Sequence, residues 1–92
     1  MIRSFRSKAL HRFAEQGDAS KLSVTNVRRV ERILEQLDEA TMPEEINNAG
    51  YRFHGLKGKD KGRYAVDASG NWRITFGWQG GHAVDVDLED YH

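Results

Sequence analysis

Three short clusters carry side chains suited to proton transfer and phosphate binding: His54-Gly55-Leu56-Lys57-Gly58, Gly70-Asn71-Trp72-Arg73 and Glu89-Asp90-Tyr91-His92. Histidine exchanges protons near neutral pH, so His54 and His92 qualify as an acid and a base. Lys57 offers a point charge. Arg73 offers a planar guanidinium that can grip two phosphate oxygens at once. Cutting RNA without a metal needs only such parts. A base takes the proton of the ribose 2′-hydroxyl, a cation stabilises the charged phosphorane, and an acid protonates the leaving 5′-oxygen. Each residue also has a plainer reading: a surface histidine, an ordinary ion pair from Lys57 or Arg73 to Asp67, Asp85 or Asp87, a turn at Asn71 and a core anchor at Trp72.

A second chemistry is metal-assisted. Asp85, Asp87 and Asp90, with His82 or His92, form a donor set acceptable to a hard divalent cation. Asp85 and Asp87 alternate with Val84 and Val86, however, which is the pattern of a solvated strand face. We therefore expect neither metal nor cofactor. The chain has no cysteine, which removes disulfides and thiolate sites and fits a cytoplasmic location. No apolar run approaches the roughly 20 residues that span a bilayer. Met1-Ile2-Arg3-Ser4-Phe5 has no apolar segment behind it, so neither a signal peptide nor membrane association is expected.

The 92 residues carry 14 basic and 14 acidic side chains, for a net charge of zero. Their distribution is uneven. Residues 51–63 hold Arg52, Lys57, Lys59, Lys61 and Arg63 against Asp60 alone, a net of +4. Residues 80–92 hold Asp85, Asp87, Glu89 and Asp90 with no Lys or Arg, a net of −4. A basic hairpin beside an acidic strand is a polarised surface. Lys57, Lys59, Lys61, Arg63 and Arg73 are the candidate RNA contacts; the bland alternative is a solvated loop.

The elements that must position these clusters follow from periodicity. The length fits one domain, residues 1–92. Ile2 and Phe5 suggest a short opening strand. Ala9, Leu10, Phe13 and Ala14 recur at helical spacing, and Gly17 stops that helix. Val24, Val27, Val30, Leu34 and Leu37 mark a second helix, with Ser23 or Thr25 as its N-cap. Pro43, Glu44 and Glu45 open a short helix that Gly50 would end. From Tyr51 the period becomes two. Tyr51 and Phe53, then Tyr64, Val66 and Ala68, then Trp72, Ile74, Phe76 and Trp78, then Val84, Val86 and Leu88 alternate with polar or small residues. Glycine-rich turns at 58–62, 69–71 and 80–81 separate the runs. The expected fold is α+β, with N-terminal helices packed on one face of a mainly antiparallel twisted sheet. The helices would cover Trp72, Ile74 and Phe76, leaving a polar face that bears Arg73.

The order of the motifs resembles the HigB branch of the RelE toxin superfamily. The resemblance rests on Phe53-His54-Gly55-Leu56-Lys57-Gly58, Gly70-Asn71-Trp72-Arg73-Ile74-Thr75-Phe76 and the terminal Asp90-Tyr91-His92. The opening Met1-Ile2-Arg3-Ser4-Phe5 is similar as well, so the likeness spans essentially the whole chain. It implies a type II toxin–antitoxin toxin that cleaves mRNA in the ribosomal A site, without a metal, leaving a 2′,3′-cyclic phosphate. It implies neutralisation by a helix-turn-helix antitoxin of the HigA type, with operator DNA reached only through that antitoxin. By position, His54, Asp90, Tyr91 and His92 would be the catalytic group. Tyr91 would stack on a base or orient the phosphate, and Asp90 would orient or tune a histidine. Lys57 and Arg73 would contact the RNA backbone. Two positions depart from the family pattern. Gly55 stands where proline is common, and Asp67 stands in a strand that often carries a basic residue, where a carboxylate facing the groove would repel phosphate.

Overall fold

Capping and spacing produce the two helices. The computed structural model describes residues 1–48 and 50–90. Helix α1 spans Lys8–Gln16; the Ser7 hydroxyl accepts from the Leu10 N–H at 3.1 Å, and Gly17, at φ 70°, donates its N–H to the Phe13 carbonyl. Helix α2 spans Val27–Glu39. Its N-cap is Asn26, which accepts from the Arg29 N–H at 3.1 Å, and neither Ser23 nor Thr25. Thr25 is used otherwise. Its hydroxyl meets Ser69 Oγ at 3.1 Å, and the Asn26 N–H donates to the same oxygen at 3.0 Å. The polar residues ahead of α2 thus tie the helix start to the sheet. Beyond α2, Pro43–Ile46 forms a single 3₁₀ turn that stops at Asn47, before Gly50.

The sheet is an antiparallel meander in the order β1 (His54–Gly55), β2 (Arg63–Ser69), β3 (Trp72–Gln79) and β4 (His82–Asp90). Gly80 and Gly81, at φ 60° and 82°, form the two-residue turn between β3 and β4, where both residues need the left-handed region. The expected opening strand reduces to two isolated parallel bridges, Ile2 with Ala83 and Phe5 with Val86. The alternation that begins at Tyr51 does not make a strand until His54. Tyr51 is drawn into the core, and Arg52 turns through φ 53°.

One face of the sheet is apolar and the helices cover it. Val66, Ala68, Ile74, Phe76 and Val86 are buried against Leu10, Val30, Ile33 and Leu37. Each large side chain of this kind contributes about 1.5–3 kcal/mol of transfer free energy. Val84 breaks the expected alternation. The β3–β4 pairing slips, so that Thr75 faces Asp87 while Gly77 faces Val84, and Asp85 takes φ 50°. This bulge turns Val84 to the Gly77 side, where a Cβ on Gly77 would lie 3.2 Å from Val84 Cγ2, and leaves Val86 in the core. The observed architecture is the α+β one expected. Among the described residues, no helix is long and apolar enough to cross a membrane.

The capping assignment is testable. Asn26→Ala should lower unfolding free energy by about 1 kcal/mol in urea titrations, whereas Ser23→Ala should change it by less than about 0.5 kcal/mol.

Candidate active site

Antiparallel pairing sets directly opposed residues on the same face, so the register itself composes the polar surface. One row runs His54, Ala65, Thr75, Asp87. The next runs Asp67, Arg73, Glu89. A third, toward the other end, runs Arg63, Gly77, Val84. Three strand spacings of about 4.8 Å separate the ends of the first row, so His54 and Asp87 are roughly 14 Å apart along it. His54 and Asp87 therefore stand at opposite ends of a sheet face that carries the buried Thr75 between them, with Arg73 in the next row.

His54 is exposed on the edge strand. Its Nδ1 lies 2.7 Å from the Arg52 carbonyl oxygen. A carbonyl only accepts, so Nδ1 carries the proton and Nε2 of the neutral ring is the acceptor. Neighbouring Phe53 stacks on Tyr64 at 5.5 Å, and Tyr64 on Phe76 at 5.7 Å, bracing the edge strand against the core. The next segment is the basic hairpin. The Leu56 N–H donates to the Arg63 carbonyl at 2.8 Å, and Gly58–Asp60 makes a 3₁₀ turn. Lys57, Lys59 and Lys61 are all exposed around that turn.

Arg63 is placed differently from these lysines. It is partly buried on the sheet face, and its Nη2 donates to Thr75 Oγ1 at 3.0 Å and to the Asp85 carbonyl at 2.9 Å. Thr75 is fully buried, and its hydroxyl in turn donates to Glu89 Oε2. Burial first, and then the nearby Arg6 cation, pull the Arg63 guanidinium below its usual value; Glu89, Asp85 and Asp87 pull it back up. It remains a cation at any physiological pH. Arg63, Thr75 and Glu89 thus form a strut from β2 across β3 to the end of β4, gripping the Asp85 bulge on the way.

Glu89, not Asp90, stands across from Arg73, since Asp90 pairs with Trp72 at the last position of β4. Asp67 flanks Arg73 on the other side, and its carboxylate lies 3.5 Å from Arg52 Nε. Tyr91 and His92 lie outside the described residues. The structure therefore joins Arg63, Arg73 and the residue before Asp90 on one face, with His54 at its rim and the three lysines on the adjoining loop. Thr75 and Arg52 were not singled out by residue type. Thr75 alternates with Arg73 within the Asn-Trp-Arg-Ile-Thr motif, which was the available signal; its burial depends on strands 12 and 14 positions away. Among the described residues, no three His, Asp or Glu side chains converge as a metal-binding group.

Replacing the buried hydroxyl tests the strut. Thr75→Val leaves Glu89 without its donor and should cost about 1–3 kcal/mol in chemical denaturation, while Thr75→Ser should retain most of the stability.

A family described as "RelE-like toxin of type II toxin-antitoxin system HigB" matches residues 3–92. A protein of Proteus vulgaris, "Endoribonuclease HigB", is 38% identical over 92 residues, covering 100% of both chains. The chain belongs to the HigB family of RelE-like toxins of type II toxin–antitoxin systems.

Proposed function

We propose that this toxin is an endoribonuclease that cuts mRNA in the ribosomal A site, arresting translation and growth. The observation that carries the reading is His54, exposed at the rim of the polar face with Nδ1 donating to the Arg52 carbonyl and Nε2 left as the acceptor. Family membership and the relative named as an endoribonuclease support it.

In the proposed reaction, His54 Nε2 takes the proton of a ribose 2′-hydroxyl. The 2′-oxygen attacks the adjacent phosphorus, and the bond from phosphorus to the 5′-oxygen breaks. His92 gives its proton to that leaving oxygen, and a 2′,3′-cyclic phosphate remains. Arg73 and Lys57 hold the phosphate and offset the charge of the phosphorane. Lys59 and Lys61 attract the RNA backbone from the hairpin, and Arg63 adds its positive charge to the face. Tyr91 stacks on a base or orients the phosphate, and Asp90 orients a histidine. No step requires a metal. The partners in this reading are the ribosome carrying mRNA and a helix-turn-helix antitoxin of the HigA type, through which operator DNA is reached. The site of action is the cytoplasm.

The decisive assay is cleavage of a defined mRNA on purified bacterial ribosomes at constant free magnesium. His92→Gln and His54→Gln should each lose roughly 10²–10⁴-fold in rate while remaining folded and able to bind the antitoxin. Equal rates for either variant and the wild type would remove that histidine from the chemistry. Failure of the wild type to cleave on or off the ribosome would leave the chain a non-catalytic antitoxin-binding module.

A further inference from the structure

Arg52 sits at φ 53°, in the left-handed region that residues other than glycine and asparagine seldom occupy. Such a backbone persists only where its surroundings hold it. The holding contacts converge from helix α2 and strand β2. The Arg29 guanidinium lies 4.8 Å above the buried Tyr51 ring. Its Nη2 donates to the Gly50 carbonyl at 2.5 Å and its Nε to the Asp67 carbonyl at 3.1 Å. Asp67 then reaches the same turn twice: its N–H donates to the Tyr51 carbonyl at 2.7 Å, and its carboxylate pairs with Arg52 Nε at 3.5 Å. The outcome of the turn is an Arg52 carbonyl aimed back at His54 Nδ1.

We propose that Asp67 is a positioning residue that, through the Arg52 turn, holds His54 in the Nδ1–H tautomer so that Nε2 accepts the substrate proton. The proposal rests on reading His54 as the base. It gives Asp67 a role opposite to the one its charge suggests. The carboxylate lies 3.5 Å from Arg52 Nε, and its residue stands opposite Arg73 in the register, so its charge has cations on two sides. A solvated neutral imidazole prefers the Nε2–H form, which would leave the nitrogen facing Arg52 as the acceptor and Nε2 unable to take a proton. The hydrogen bond to the carbonyl reverses that preference.

The tautomer is directly observable. In protein with ¹⁵N-labelled histidine, long-range ¹H–¹⁵N correlation spectra separate Nδ1–H from Nε2–H rings, and loss of one ring system in His54→Gln assigns His54. The wild type should show His54 as Nδ1–H at a pH where the ring is neutral. Asp67→Asn, and independently Arg52→Gln at the exposed end of the pair, should move it toward Nε2–H. On ribosomes both variants should lose roughly tenfold in kcat with KM unchanged, the usual scale for losing an outer partner that orients a histidine. A thermal melt checks that each is folded, and Arg52→Gln stands alone if Asp67→Asn does not fold. An unchanged Nδ1–H tautomer in the folded variants would overturn the proposal. So would a lower KM at constant kcat in Asp67→Asn, since that is what removing a charge that repels RNA produces. A tautomer shift with cleavage unaltered would uphold the positioning role and remove His54 from the base's place, so the two claims fail separately.

Discussion

Strand β3 pairs with β2 on one side and β4 on the other, and its register governs both faces of the sheet. From Trp72 to Thr75, each residue of this strand is opposed by one residue of β2 and one of β4; beyond the Asp85 bulge, Trp78 and Gln79 pair with β4 alone. Ile74 and Phe76 must point into the apolar space under α1 and α2, because a shift of one residue would exchange them with Arg73 and Thr75. Burial of the apolar face therefore also sets the polar one. The same register that hides Ile74 places Arg73 between Asp67 and Glu89, and Thr75 between Ala65 and Asp87.

The helices act on the site from behind. They supply the apolar cover that specifies the register, and α2 reaches the site's edge through Arg29. Arg29 is the kind of residue that a helical wheel assigns to the solvent face. Here its long side chain lies over Tyr51 and satisfies two backbone carbonyls of the segments on either side, a use for which a planar cation with several donors is well suited. The Arg63 guanidinium does comparable work on the sheet face. It is held to a threonine hydroxyl and a bulge carbonyl, so part of the positive charge of the hairpin is committed to structure, while the three lysines remain in solvent.

Electrostatically the polar face has no single sign. Cations enter from the β1–β2 hairpin and carboxylates from β4, and they meet over β3. In the proposed reading, an RNA strand on this face would be drawn toward the hairpin and kept from the acidic strand, and so oriented without a large net charge on the protein. The overall neutrality of the chain is thus compatible with an RNA surface, because attraction at close range follows the local distribution and not the sum.

Much of this was legible in the residues themselves. The helical spacing of Leu10 and Phe13, and of Val30, Leu34 and Leu37, together with the period of two through Tyr64, Val66, Ile74 and Phe76, determined the two helices, the meander and the choice of apolar face, because burial of one face imposes a different periodicity on each element type. The histidine, lysine and arginine types suggested a chemistry. Other features depended on partners far away in the chain. Asn26, and neither Ser23 nor Thr25, caps the helix, and Ser69, more than 40 residues on, engages Thr25 and the Asn26 N–H. Val84 left its expected face because of a bulge that alternation does not reveal. Arg52 took a left-handed turn that no local propensity favours, held by Arg29 and Asp67. Periodicity and residue type settle which elements form and which side chains are on hand. Which ring nitrogen of His54 meets the Arg52 carbonyl, and which cations are committed to the scaffold, depend on contacts between segments that come together only after the sheet has closed.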